Sequence, residues 1–189
     1  MLETGSARSR REWVTRKFPD HAQWPRVKRL LHLGGVVCTL HGVAWATYYG
    51  THGMTMLAWV LCALTVVGVG CFVIANRRAR LSIVLIAHVL LLMTIFVSLA
   101  ETPTAAAARS THLFLLPIGA ATFFLFRSEG VYLRWILPTL CMVALVWLAI
   151  DPVSLGARLE RLPDGVRKIR HGLNTLTAMA LTGGVLAIF

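Results

Sequence analysis

Five long stretches of the sequence contain no charged residue. Asp, Glu, Lys and Arg are all missing from residues 30–76, 81–100, 110–126, 135–150 and 171–189. A helix of about 20 residues crosses the hydrocarbon core of a bilayer, and each stretch reaches or approaches that length. A turn at residues 50–53 divides the first stretch into two helices. The pattern therefore predicts an all-α polytopic membrane protein with six transmembrane helices.

The predicted organisation is a short N-terminal segment followed by one membrane module. Residues 1–29 form a basic cytoplasmic or interfacial segment, and residues 30–189 form the six-helix transmembrane module. The predicted spans are residues 30–50, 54–75, 81–100, 110–126, 131–150 and 172–189. In the loop 151–171, apolar residues recur every three or four positions. This spacing predicts an amphipathic helix, which Pro163-Asp164-Gly165 divides into two surface-lying pieces.

The fourth span, Ser110–Phe126, carries groups that are costly in hydrocarbon. Thr111 and His112 are polar, and Pro117 leaves a backbone carbonyl without its usual donor. Lipid offers such groups no hydrogen-bond partner. We therefore expect the other helices to surround this one.

Composition and charge support a membrane location. The chain is 57% hydrophobic and 14% charged, far below the charged share of about 25% that is usual in soluble domains. The formal net charge of +11 lies in the N-terminal segment and short loops. Anionic lipid headgroups are the expected partner of such basic flanks, and nucleic acid is not. An orientation with both termini cytoplasmic places thirteen Lys/Arg residues inside and six outside, as the positive-inside rule favours.

Small residues repeat at a spacing of four in the first span. Such a ladder allows another helix to approach closely, and two further glycines lie together in the last span. The candidates for helix packing or for a homodimer contact are Gly34, Cys38, Gly42, Ala46, Gly50, Gly183 and Gly184. Packing within one subunit and contact between two subunits are equally compatible with the spacing. The four cysteines all lie in apolar runs, which indicates core residues rather than a metal site.

Polar and aromatic residues gather at the predicted outer ends of the helices. The candidate ligand-binding residues are Trp45, Tyr49, His52, Glu101, Thr111 and His112. They predict a shallow pocket for an unknown small or lipophilic ligand, and an ordinary aromatic belt at the interface is the alternative. The spans contain no acid that could drive a pump, and no phosphate loop, zinc motif or nucleophile elbow occurs. The sequence therefore predicts no catalytic residue and requires no cofactor.

Two histidines leave a second function open. His41 and His88 differ in predicted depth by roughly 5 Å, close enough to bracket a haem b if their helices face each other. The alternative is a pair of buried histidines bonded to backbone or hydroxyl groups. A haem-binding electron-transfer protein is therefore the second hypothesis, and a small permease is the third.

The fourth span also carries a family resemblance. The run His112–Pro117 and the following Phe124–Arg127, just before a tight turn, resemble the six-helix N-terminal membrane modules of bacterial class III adenylate/guanylate cyclases. Similar modules precede diguanylate cyclase and histidine kinase domains. The basic loop Arg77–Arg80 and the start of the last span, Leu173–Thr177, also fit.

The resemblance implies a membrane anchor and sensor module in the bacterial cytoplasmic membrane. Such a module is expected to form a homodimer and to relay a membrane or small-ligand signal to a cytoplasmic effector. We expect any catalytic activity to reside in a cyclase-type domain outside these residues, so this chain is not itself expected to be an enzyme.

Overall fold

A computed structural model describes residues 24–77, 80–101, 110–127, 130–150 and 163–189, and these residues form helices without any strand. The helices are α1 (Trp24–Thr51), α2 (Thr55–Arg77), α3 (Arg80–Ala100), α4 (Leu115–Leu125), α5 (Leu137–Ile150) and α6 (Asp164–Ile188). A 3₁₀ turn, Thr111–Phe114, leads into α4, and a π-helical turn, Tyr132–Ile136, leads into α5. The prediction of an all-α protein is confirmed for these residues.

Four helical segments are long and apolar enough to cross a membrane: Trp24–Thr51, Thr55–Arg77, Leu81–Ala100 and Tyr132–Ile150. Large apolar side chains on these segments point outward, and Trp59 is 73% exposed and Leu92 65% exposed. Water would penalise such surfaces, whereas lipid does not. These observations indicate a membrane protein. The apolar helix Thr111–Leu125 is shorter, and α6 begins with a charged stretch.

Two helices begin earlier than the sequence predicted. Helix α1 begins at Trp24, because Pro25 is tolerated in the first turn, where an amide hydrogen has no intrahelical partner. Helix α6 begins at Asp164, directly after the extended backbone of Pro163 (ψ 146°). The prediction of a separate surface-lying piece is therefore wrong for residues 164–171, which form the first turns of α6. The rest of that predicted helix, and most of the basic segment 1–29, lie outside the described residues.

Helices α1 and α2 form a close hairpin. Gly53, with φ 75°, lies in the connecting turn, where its missing side chain permits the left-handed conformation. A Cβ atom on Gly68 would lie 2.7 Å from the Thr39 backbone nitrogen, and one on Gly42 would lie 2.8 Å from the Leu61 carbonyl oxygen. Glycine at these positions therefore allows the two backbones to approach closely.

Helix α4 packs against α3, α5 and α6. His112 and Pro117 are both buried, so the prediction that other helices surround this segment is confirmed for these two residues. A Cβ atom on Gly119 would lie 3.2 Å from Cys141 Cβ, which brings α4 tightly against α5. Thr122 satisfies its buried hydroxyl by donating to the Gly119 carbonyl oxygen at 2.9 Å.

Helix α6 runs parallel to α4 and antiparallel to α1. Phe189, which directly follows α6, stacks on Phe124 with ring centroids 5.4 Å apart. A Cβ atom on Gly184 would lie 3.0 Å from Leu33 Cδ2, near the start of α1. At its other end, Arg170 bonds to Tyr49, near the end of α1. Helix α6 therefore contacts α1 near both ends of α1.

Candidate functional site

A buried carboxylate organises one end of the helix bundle. Glu101 directly follows α3 and is 1% exposed. Its carboxylate accepts hydrogen bonds from the backbone N–H groups of Ser110 at 2.7 Å and Thr111 at 3.1 Å, and also from the Thr111 hydroxyl. Because the first N–H groups of a helical turn have no internal partner, Glu101 caps the 3₁₀ turn before α4.

Arg170 of α6 joins the same cluster. Its Nε lies 3.6 Å from Glu101 Oε1, and its Nη1 donates to the Tyr49 hydroxyl at 2.8 Å. Both charged side chains are almost completely buried. A buried ion pair of this kind is costly to break, because the remaining charge is left in a medium of low polarity. The pair therefore ties α6 to the ends of α1 and α3.

Asn174 lies one helical turn further along α6. Its Nδ2 donates to Ser110 Oγ at 3.1 Å and to Thr111 Oγ1 at 3.2 Å. His41 lines the same cavity as Asn174, and its imidazole packs edge-on against Phe114 with ring centroids 5.5 Å apart. The polar groups therefore continue from the end of α1 toward its middle.

A cavity of about 190 Å³ lies between α1, α2, α3, α4 and α6. The surface that lines the cavity is almost entirely apolar, and its lining residues include Cys38, Leu90 and Ile118. Arg170 and Asn174 also line the cavity, and both donate hydrogen bonds within the polar cluster. Such a space suits a lipophilic guest with at most a small polar group.

Some of the predicted pocket residues come together and others do not. Tyr49, Glu101 and Thr111 meet in the polar cluster, and Trp45 lines the cavity. His52 instead stacks on Tyr48 at the exposed end of α1, with ring centroids 4.2 Å apart. His112 is buried without lining the cavity. The shallow outward pocket stays a prediction, and Trp45, Tyr49 and Thr111 also line the cavity between the helices.

Sequence reasoning missed Arg170 and Asn174. The charged stretch predicts a surface loop at residue 170, and residue 174 enters the sequence analysis only through the last span and its resemblance to signalling modules. Their position on the buried face of α6 follows from the pairing with Glu101 and Ser110, which are distant in sequence. An available signal was the spacing of four between residues 170, 174 and 178, which places all three on one helix face.

The small residues of the predicted ladder have different surroundings. Gly34 and Cys38 line the cavity, and a Cβ atom on Gly34 would meet nothing within 4 Å. Gly42 packs against α2 within the chain, and a Cβ atom on Gly50 would lie 3.9 Å from that of Ala58 in the same helix pair. The partly buried Ala46 packs against the apolar cluster around Tyr49 and Leu57. Gly183 has open space around it, whereas Gly184 contacts α1. The homodimer contact stays a prediction.

The two histidines of the haem hypothesis have separate environments. His41 lines the cavity, whereas His88 does not. Nε2 of His88 lies 3.1 Å from the Tyr132 hydroxyl and its Nδ1 lies 2.8 Å from the Val84 carbonyl oxygen. No group of three or more potential ligands for a metal ion occurs within the part of the chain that the structure describes. The haem alternative stays a prediction without a shared cavity for the two rings.

Comparison of the chain with known protein families, with curated proteins and with solved structures found no match. The resemblance to membrane modules of signalling enzymes therefore rests on its short motifs, and the cavity carries the functional assignment.

Proposed function

We propose that the chain is a membrane anchor and sensor module that binds a lipophilic ligand in the interhelical cavity and relays its presence through α6 to a cytoplasmic effector. The observation that carries this proposal is that five helices line an apolar cavity to which α6 contributes Arg170 and Asn174. A guest in this space contacts the helix that also holds the buried ion pair, so the guest and the position of α6 are physically linked.

The proposed topology has six spans, with both termini cytoplasmic, in the bacterial cytoplasmic membrane. Helices α4 and α6 are the fifth and sixth proposed spans beside the four long apolar helices, although α4 is short and α6 begins with charged residues. Support comes from the contacts that α6 makes with α1 at Arg170 and at Gly184, which lie roughly 21 Å apart at 1.5 Å rise per residue. The Lys/Arg bias supports the orientation.

The relay requires two packings of α6 that are close in free energy. A ligand shifts the equilibrium between them only by its difference in affinity for the two. The contacts at the two ends of α6 are the elements that such a shift would change: the polar cluster at Arg170 and the glycine contact at Gly184. A homodimer is part of the proposal, because cyclase domains in the families that the sequence resembles act in pairs.

A reporter fusion tests the proposal. A class III cyclase domain joined after Phe189 is assayed in membranes, with and without an organic extract of bacterial lipids. We expect the extract to change the cyclase rate in the wild-type fusion. Gly34→Leu, which fills the cavity, is expected to abolish the response.

Gly70→Leu is the matched control, because a Cβ atom there also meets nothing within 4 Å but the residue does not line the cavity. This variant is expected to respond like the wild type. A wild-type fusion that ignores the extract, or a Gly34→Leu fusion that responds fully, contradicts the proposal.

A further inference from the structure

The charged side chain at the cavity already has its counter-charge. Arg170 carries the only formal charge among the described residues that line the cavity, and Glu101 Oε1 lies 3.6 Å from its Nε. An anionic ligand would compete with Glu101 for the guanidinium, so one of the two anions would be buried without a counter-charge. A cationic ligand would bring a second buried positive charge close to Arg170. The charge balance therefore favours an uncharged ligand.

The polar groups of the lining residues are engaged within the protein. Four of these groups have a hydrogen-bond partner there: the Tyr49 hydroxyl, the Thr111 hydroxyl, the Thr122 hydroxyl and the Asn174 amide nitrogen. The Nε2 atom of His41 is buried, so it does not face the open space either. The surface that a ligand would touch is almost entirely apolar. A hydroxyl or amine on the ligand would therefore lose its hydrogen bonds on entering the cavity, which costs binding free energy.

The volume of the cavity sets an upper limit on the size of the ligand. This volume is about 190 Å³. An apolar cavity of about 150 Å³ lined by aliphatic and aromatic side chains holds one benzene molecule, so the space here suits a ring with about one or two added methyl groups. A phospholipid, a long acyl chain or a fused-ring lipid is too large.

We propose that the cavity binds one small, uncharged hydrocarbon, about the size of a benzene ring with one or two methyl groups. The proposal rests on the proposed function, in which this cavity is the ligand site. It adds the chemical class and the size of the ligand. The active component of the lipid extract is then a small hydrocarbon dissolved in it rather than a phospholipid.

Equilibrium binding of tritiated p-xylene to the full chain in phosphatidylcholine nanodiscs tests the proposal. Empty nanodiscs measure the amount of p-xylene that dissolves in the lipid alone. Above that background, we expect saturable binding of about one p-xylene per chain.

Unlabelled competitors separate the chemical classes of ligand. In p-cresol a hydroxyl replaces one methyl group of p-xylene, and in p-toluate a carboxylate replaces it. At equal concentration in the membrane, each is expected to compete at least about fivefold less well than unlabelled p-xylene, because its polar group finds no partner in the cavity. Hexadecane is as apolar as p-xylene but exceeds the volume of the cavity, and it is expected not to compete.

Two glycine variants test whether the binding takes place in the cavity. Gly34→Leu places a large side chain in the cavity and is expected to lose saturable p-xylene binding. Gly70→Leu adds the same side chain away from the cavity and is expected to retain it. The wild-type competition alone decides the ligand class should Gly34→Leu fail to fold.

Four results overturn the proposal: no saturable p-xylene binding, p-cresol or p-toluate competing as well as p-xylene, hexadecane competing equally, or Gly34→Leu binding normally. Saturable p-xylene binding with a silent cyclase fusion supports this inference and removes the relay. A fusion that responds to lipid extract while p-xylene does not bind removes this inference and leaves the relay standing.

Discussion

The ion pair between Glu101 and Arg170 gives the sharpest prediction of stability. Glu101 is 1% exposed and Arg170 is 5% exposed, so neither charge is solvated by water. Glu101→Gln preserves the shape of the side chain but removes its charge. It also replaces one carboxylate oxygen, which accepts hydrogen bonds from the backbone N–H groups of Ser110 and Thr111, with an NH₂ group that can only donate. Removing one partner of a buried pair costs about 3–5 kcal/mol.

The assay is thermal unfolding of the detergent-solubilised chain. A loss of about 1 kcal/mol shifts the Tm of a chain of this size by roughly 2–4 °C, so we expect Glu101→Gln to lower it by about 10 °C. Lys168→Met is the control, because Lys168 is exposed and lies on α6, the helix that carries Arg170. It is expected to change the free energy of unfolding by no more than about 0.5 kcal/mol.

A double variant separates the charge interaction from other effects. Arg170→Met alone should destabilise the chain, because it leaves the Glu101 carboxylate buried without its counter-charge. The double variant Glu101→Gln/Arg170→Met buries neither charge, and it should be at least as stable as Glu101→Gln alone. The reasoning is refuted if Glu101→Gln unfolds within about 1 kcal/mol of the wild type. It is equally refuted if the double variant loses the sum of the two single effects.

Further variants probe the helix contacts. Gly68→Val forces a side chain against the α1 backbone and should cost at least about 2 kcal/mol of unfolding free energy, whereas Gly70→Val, in open space, should not. Asn174→Leu leaves the Ser110 hydroxyl without its donor and should cost about 1–3 kcal/mol in the same unfolding assay. Tyr132→Phe loses one exposed hydrogen bond and should cost at most about 1 kcal/mol in the same unfolding assay.

The helices could be predicted from the sequence because lipid imposes a simple requirement. An uncharged apolar run of sufficient length forms a helix there, and the run before Arg77 was placed within two residues of the observed end. The start of α6 could not be predicted in this way. Arg170 looks like a loop residue until its counter-charge is known, and Glu101 is brought to it only by the folded arrangement.

The sequence also does not predict which glycines of α1 contact α2. Gly34 and Gly35 are adjacent in sequence, and the spacing of four favoured Gly34. In the folded chain Gly34 faces the cavity, and Gly35 meets Gly68, with a Cβ atom there lying 3.0 Å from the Gly68 carbonyl oxygen. Spacing identifies a helix face that permits close approach, but the partner helix decides which neighbouring glycine is used.

The most direct measurement of the central claim, a lipophilic ligand site in the interhelical cavity, is the site of attachment of a small photoreactive lipophilic probe that carries a diazirine. The account predicts labelling of cavity residues such as Leu90, Ile118 and Ala121, and displacement of that label by the organic extract of bacterial lipids. Label confined to outward-facing residues such as Trp59 and Leu92, and unchanged by the competitor, would contradict it.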